Sequence, residues 1–251
     1  MTTPNNSFPL EGSRALLLGA TKGIGFALAG QLLAQGARVT ISGRSEDTVA
    51  TAIARLRAAN SSARVDGLVL DLRDHAAARA ALAGTGAVDH LVLCGSSDVA
   101  WGPFAALSME AVERALHMKL TGFLNAVQAV LPQLAERGSI TFVGGAASRA
   151  ALPGSVGLAV VNGGLEAATR TLARELAPRR VNLVSPGLTD TEAYDGMPAA
   201  AKAAQFTAVA GRLPVGRTGQ PQDIAQAIGF VMGNAFVTGS VVDADGGAHL
   251  G

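Results

Sequence analysis

Ala15-Leu16-Leu17-Leu18-Gly19-Ala20-Thr21-Lys22-Gly23-Ile24-Gly25 reads as a strand that turns through glycines into a helix. The apolar run predicts a buried strand, and the apolar spacing over residues 23–35 predicts a helix behind it. A helix entered through glycines leaves its first backbone N–H groups bare, and its dipole favours an anion there, such as a pyrophosphate. With 31 glycines in 251 residues, three at this spacing arise by chance about 0.5 times per chain. Placement at the front of a β-α-β unit therefore carries the reading of a dinucleotide site. Its expected contributors are Gly19, Thr21, Lys22, Gly23, Ile24 and Gly25.

Outward from this stretch, short apolar runs alternate with longer alanine-rich segments of helical spacing. Strands are predicted over residues 38–42, 65–70, 88–94, 139–143 and 181–184, and helices over 46–59, 74–82, 109–136 and 158–177. Strands separated by helices require parallel pairing, hence an α/β fold. Gly36 stands where a helix C-cap belongs, Gly138 precedes a strand, and Pro178 stops a long helix. Residues 1–12 are polar, with two prolines and no period, and are expected to form a flexible arm before one domain over residues 13–251.

The composition narrows the classes of function. Twenty basic against nineteen acidic residues leave a charge of +1 without blocks of like sign, which is no footprint for nucleic acid or an anionic membrane. Lys22 interrupts the apolar stretch 15–34 before it is long enough for a membrane span. The expected partners are small molecules or copies of the chain itself. Cys94 is the single cysteine, so no internal disulfide forms, and the opening residues lack the pattern of a secretion signal. Cytoplasmic localisation is expected. His75, His90, His117 and His249 show no ligand spacing, so no metal is expected.

The residue after the second strand selects the dinucleotide, because a carboxylate there accepts from the adenosine ribose and repels a 2′-phosphate. The sequence there is Ser42-Gly43-Arg44. A guanidinium can grip a phosphate with two hydrogen bonds, and Lys22 adds a second positive charge. NADP(H) is expected in preference to NAD(H).

These residues resemble the short-chain dehydrogenase/reductase family. The glycine loop is similar to that family's motif, and Asp71-Leu72 to the acidic pair set against the adenine. Ser185-Pro186-Gly187-Leu188-Thr189-Asp190-Thr191 resembles the Pro-Gly segment whose threonine, here Thr191, contacts the nicotinamide side. Gly216-Arg217-Thr218-Gly219-Gln220-Pro221 and Asp245-Gly246-Gly247 resemble its C-terminal signatures. From about residue 10 to 248, the resemblance implies a three-layer Rossmann fold around a seven-stranded, doubly wound parallel sheet, and a homotetramer or homodimer. It also sets Gly95, Pro186 and Gly187 against the cofactor.

The same resemblance exposes a departure. Leu172-Ala173-Arg174-Glu175-Leu176 matches the end of the active-site helix, and counting back places Leu158 at the catalytic tyrosine and Asn162 at the lysine. Gly145 stands at the serine position, Lys119 at the asparagine position, and residues 89–96 depart from the Asn-Asn-Ala-Gly segment. In the family the tyrosine hydroxyl moves the substrate proton, and leucine has none to move. Candidate replacements are Lys119, Tyr194 and Ser148, the last beside Arg149. His117 lies roughly 200° around a helix from Lys119 and cannot share its inward face. Asn162 is expected to bond the nicotinamide ribose through its amide, and Cys94 to be a small buried side chain without a base beside it. Two main readings follow: an oxidoreductase that moves a hydride to or from a small carbonyl, imine or enone with an unusual proton source, or a silent NADP(H)-binding member acting as sensor or oligomer partner.

Overall fold

The computed structural model describes residues 10–95 and 100–251. In chain order the elements are β1 (Arg14–Leu18), α1 (Gly23–Ala34), β2 (Arg38–Gly43), α2 (Glu46–Ala59), β3 (Arg64–Val69), α3 (His75–Ala83), β4 (Val88–Leu93), α4 (Met109–Ala115), α5 (Gly122–Val130), β5 (Leu134–Val143), α6 (Val156–Glu175), β6 (Arg180–Pro186), α7 (Ala199–Ala210), α8 (Pro221–Gly233) and β7 (Val241–Ala244). The strands form one seven-stranded sheet in the order β3-β2-β1-β4-β5-β6-β7, and every pairing is parallel. The chain winds outward in one direction from β1 to β3 and in the other from β4 to β7. The order reverses between β1 and β4, where a doubly wound sheet opens a crevice beyond its strand ends.

Alternation along β1 separates the two sides of the core. Leu17 packs with Val39, Ile41, Leu28, Leu32 and Ile228 on the α1 and α8 side. Leu16 and Leu18 pack with Leu91, Leu93, Phe123 and Phe142 on the other. Successive side chains of a strand point to opposite faces, so a strand covered on both faces must be apolar throughout, which is why β1 reads as a continuous hydrophobic run. Local signals set the helix starts. Ser45, Asp74 and Ser108 each accept from a backbone N–H three residues on, and Pro221 opens α8 behind the Gln220–Asp223 capping box.

Two expectations are corrected. The single helix over 109–136 is divided into α4, a π-helical turn at Leu116–Thr121, and α5. It ends at Val130 because Pro132 cannot continue it, and Leu134 already belongs to β5. The arm over residues 1–12 is shortened: Leu10 is 2% exposed within the core, and the Gly12 N–H donates to the Gly36 carbonyl at 3.0 Å. Residues 1–9 lie outside the described residues. α7, α8 and β7 follow without having been placed by periodicity. Among the described residues no helix is long and apolar enough to cross a membrane.

Leu17 is fully buried between α1 and the sheet. Leu17→Ala is expected to lower stability by about 2–5 kcal/mol, read from the urea midpoint at constant slope. A loss under about 1 kcal/mol would contradict this packing.

Candidate functional site

A cleft of about 310 Å³ opens where the sheet order reverses. It brings together Gly19, Thr21, Lys22, Gly23, Ile24 and Gly25 from the glycine loop, Arg44 after β2, Asp71 and Leu72 after β3, Gly95 after β4, and Thr191 after β6. Pro186, Gly187 and Asn162 do not line it. Gly187 instead meets the C-terminal segment, where an added Cβ would fall 2.7 Å from the Asp245 backbone. The C-terminal signature thus buttresses the end of β6 rather than facing the cleft.

The loop depends on absent side chains. Gly19 and Gly23 have φ of +75° and +58°, a region that favours glycine. A Cβ on Gly19 would stand 3.0 Å from the Gly95 backbone, and one on Gly25 would stand 2.7 Å from Ala20 Cα. Backbone packs on backbone, and the N-terminus of α1 faces the cleft. Ser42 ties the loop to β2, its hydroxyl accepting from the Gly19 N–H at 3.1 Å. This chain can hold a dinucleotide pyrophosphate there, since bare N–H groups at a helix start suit an anion. In the structure one of them is engaged: the Gly23 N–H donates to Glu192 Oε2 at 2.8 Å.

Positive charge gathers at the rim. Lys22 and Arg44 are exposed, and Arg73 joins them. Arg73 grips Asp71 through Nε at 2.9 and 3.0 Å and through Nη2 at 2.5 Å. That hydrogen bonding, with the charges of Arg73 and Arg44, holds the Asp71 carboxyl below its ordinary value despite partial burial. Sequence reading did not place Ser42, Arg73, Glu192 or the cleft-lining Met118 in the site. Arg73, two residues beyond Asp71, carried a local signal; Glu192 carried none, since its partner Gly23 lies 169 positions away.

Beside the cleft, the π-helical turn directs Lys119 inward. It is 8% exposed, and its Nζ donates to the Gly144 carbonyl at 2.8 Å and to Asn162 Oδ1 at 3.1 Å. Burial pushes Lys119 down to about 8, opposed by neighbouring Cys94, and burial pushes Cys94 up to about 12. A Cβ on Gly145 would lie 2.9 Å from Asn162 Nδ2. Three of the four positions equated above with the family's catalytic residues therefore converge.

The other candidates are engaged elsewhere. The Ser148 hydroxyl donates to Glu166 Oε1 at 2.5 Å, with the Gly145 carbonyl 3.1 Å away, while Arg149 bridges Glu166 and Asp243. This network fastens the loop after β5 to α6 and β7. Tyr194 packs edge-on against Phe206, 5.3 Å between centroids, and burial raises its hydroxyl; it does not line the cleft. His117 is exposed, stacks on His75 at 4.2 Å and meets the Arg73 carbonyl. Asp243, Asp245 and His249 lie near one another. Asp245 is occupied by His249 Nδ1 and by the backbone N–H groups of Gly247 and His249.

Residues 19–249 match the family model described as Enoyl-(Acyl carrier protein) reductase. A short-chain dehydrogenase/reductase, ATR9, of Stachybotrys chlorohalonatus is 31% identical, covering 96% of this chain and 98% of its own. A small-chain dehydrogenase solved in complex with NADPH is 34% identical with a TM-score of 0.82, covering 96% of this chain and 100% of its own. The MalC reductase/Diels-Alderase of Malbranchea aurantiaca is 26% identical with a TM-score of 0.88, covering 97% and 99%. The chain belongs to the short-chain dehydrogenase/reductase family of oxidoreductases.

Proposed function

We propose that the chain binds NADP(H) across the crevice between β1 and β4 and carries out hydride transfer to a small carbonyl, imine or enone without a tyrosine proton donor. The observation that carries this reading is the rim: Lys22, Arg44 and Arg73 line the cleft, and the residue directly after β2 is Arg44 rather than a carboxylate that would repel a 2′-phosphate. The related dehydrogenase in complex with NADPH supports the same cofactor. Bound NADPH would supply the hydride. The chain's own contribution is to hold the two reactants in contact, which alone can account for much of a hydride-transfer rate. With Leu158 in place of a tyrosine, the general-acid assistance of roughly 10²- to 10⁴-fold must come from elsewhere or be forgone. An acceptor whose reduced form needs no enzyme-borne proton suits such a site best.

Titration followed by nicotinamide fluorescence tests the cofactor. Arg44→Ala is expected to weaken NADPH by about 10- to 100-fold, the size of a lost charge-assisted hydrogen bond, and to leave NADH within about 3-fold. Equal losses for both would contradict the role given to Arg44. Turnover then separates the readings: oxidation of NADPH by some member of a ketone, imine and enone panel supports the oxidoreductase, whereas tight binding without any turnover supports the silent sensor or oligomer partner.

Glu192 places a carboxylate on an N–H that a pyrophosphate would use. Glu192→Gln is expected to tighten NADPH by about 2- to 10-fold, through relief of like-charge repulsion at a helix start. Weaker binding in this variant would show that Glu192 supports the cofactor rather than competing with it.

A further inference from the structure

Two carboxylates stand among the described residues that line the cleft, Asp71 and Glu192. Glu192 is engaged by the Gly23 N–H, whereas Asp71 lies close enough to Arg44 to feel its charge. A carboxylate there works against a site for a 2′-phosphate. It repels the phosphate, and it offers Arg44 an anion of the chain's own to pair with. Arg73 meets both effects. Its Nε reaches Oδ1 and Oδ2 of Asp71 and its Nη2 reaches Oδ2, while its backbone N–H donates to Oδ1 at 2.9 Å. Both oxygens are covered by one residue. The covering is local and braced, because the two residues share a turn that the Asp74 N–H closes on the Asp71 carbonyl at 3.1 Å. From the other side His117 Nε2 lies 2.8 Å from the Arg73 carbonyl, and since a carbonyl only accepts, that nitrogen carries the proton. His117 in turn stacks on His75 at 4.2 Å. A turn so fixed keeps the arginine on its carboxylate at little further cost in entropy. Arg44, exposed on the loop after β2, makes no side-chain hydrogen bond or ion pair among the described residues.

We propose that Arg73 is a positioning residue that sets cofactor specificity without touching the phosphate: by holding Asp71 it leaves Arg44 free to take the 2′-phosphate of NADPH. This rests on the NADP(H) reading above. With Arg73 in place, the cleft carries the cations Lys22, Arg44 and Arg73 against the carboxylates Asp71 and Glu192. Each carboxylate has a partner, and Arg44 is left over. Without Arg73, the remaining cations only match the carboxylates in number, and an arriving phosphate must take Arg44 from Asp71. NADH presents a ribose hydroxyl where NADPH presents the phosphate, and an uncovered carboxylate attracts the first and repels the second. Loss of Arg73 therefore acts on the choice between the two cofactors rather than on dinucleotide binding in general. The pair is partly exposed, with side-chain exposures of 49% for Arg73 and 33% for Asp71, so salt screens part of the effect. Low ionic strength shows it most fully.

Two measurements test this. The first takes the affinities of each variant for NADPH and NADH by nicotinamide fluorescence at low salt and compares their ratio, in which any effect common to both cofactors cancels. Arg73→Gln is expected to lower the preference for NADPH by about 10-fold. Removing the charge that Arg73 covers should restore it: Arg73→Gln with Asp71→Asn is expected to prefer NADPH to within about 3-fold of Asp71→Asn alone. If Arg73 were itself a ligand of the phosphate, the double variant would stay about 10-fold below Asp71→Asn. That result, or a preference in Arg73→Gln within about 2-fold of wild type, would overturn the proposal. The second measurement needs no cofactor. In wild type the ion pair of Asp71 is with Arg73, and in a crystal structure of Arg73→Gln the Arg44 guanidinium should lie within about 4 Å of the Asp71 carboxylate. Arg44 standing away from Asp71 in that variant would overturn the proposal as well. A wild-type protein without preference for NADPH would instead refute the NADP(H) reading, and the variant structure would still report whether Asp71 captures Arg44.

Discussion

The structure depends on one close approach, the packing of the glycine loop backbone against the ends of its neighbouring strands. Gly19 lies so near Gly95 that a methyl group would fall 3.0 Å from backbone atoms, and Gly25 sets the start of α1 on Ala20 with no more room. These contacts let β1 and β4 sit side by side at the reversal of the sheet and leave the N-terminus of α1 facing the crevice between them. Any side chain at Gly19 or Gly25 would push the helix off the sheet and carry the N–H groups away from the anion they are placed to meet. The apolar β1, with neighbours on both faces, supplies the rigid floor from which this geometry is held.

The second half of the site is built from a cost. Burying an ammonium is unfavourable, and burial pushes Lys119 down to about 8. The π-helical turn at Leu116–Thr121 directs it inward, and insertions of this kind are frequent at functional sites. The carbonyl of Gly144 and the amide of Asn162 offset part of the penalty. The result is a buried positive charge held beside the crevice by two hydrogen bonds.

The fold was legible because its signals are local. Apolar runs, the glycine loop and Gly36 each act within a few residues of where they stand. The helix expected over 109–136 failed because its apolar period continues past Pro132, and Leu134 is recruited into β5 by pairing with Val88, a contact no local pattern announces. That the glycine loop and Arg44 would meet in one cleft was equally legible. Glu192 on Gly23, Ser42 on Gly19 and Lys119 on Asn162 are meetings across 169, 23 and 43 positions, and only the folded chain makes them. Gly187 packs closely on Asp245, and a glycine required for such packing looks, in sequence, like one required for a ligand.

A crystal structure of the complex with NADP⁺ tests the central claim most directly. The account predicts the pyrophosphate on the first N–H groups of α1, the Glu192 carboxylate swung off Gly23, and the 2′-phosphate between Lys22 and Arg44. A pyrophosphate bound elsewhere, or a 2′-phosphate turned away from both cations, would contradict it.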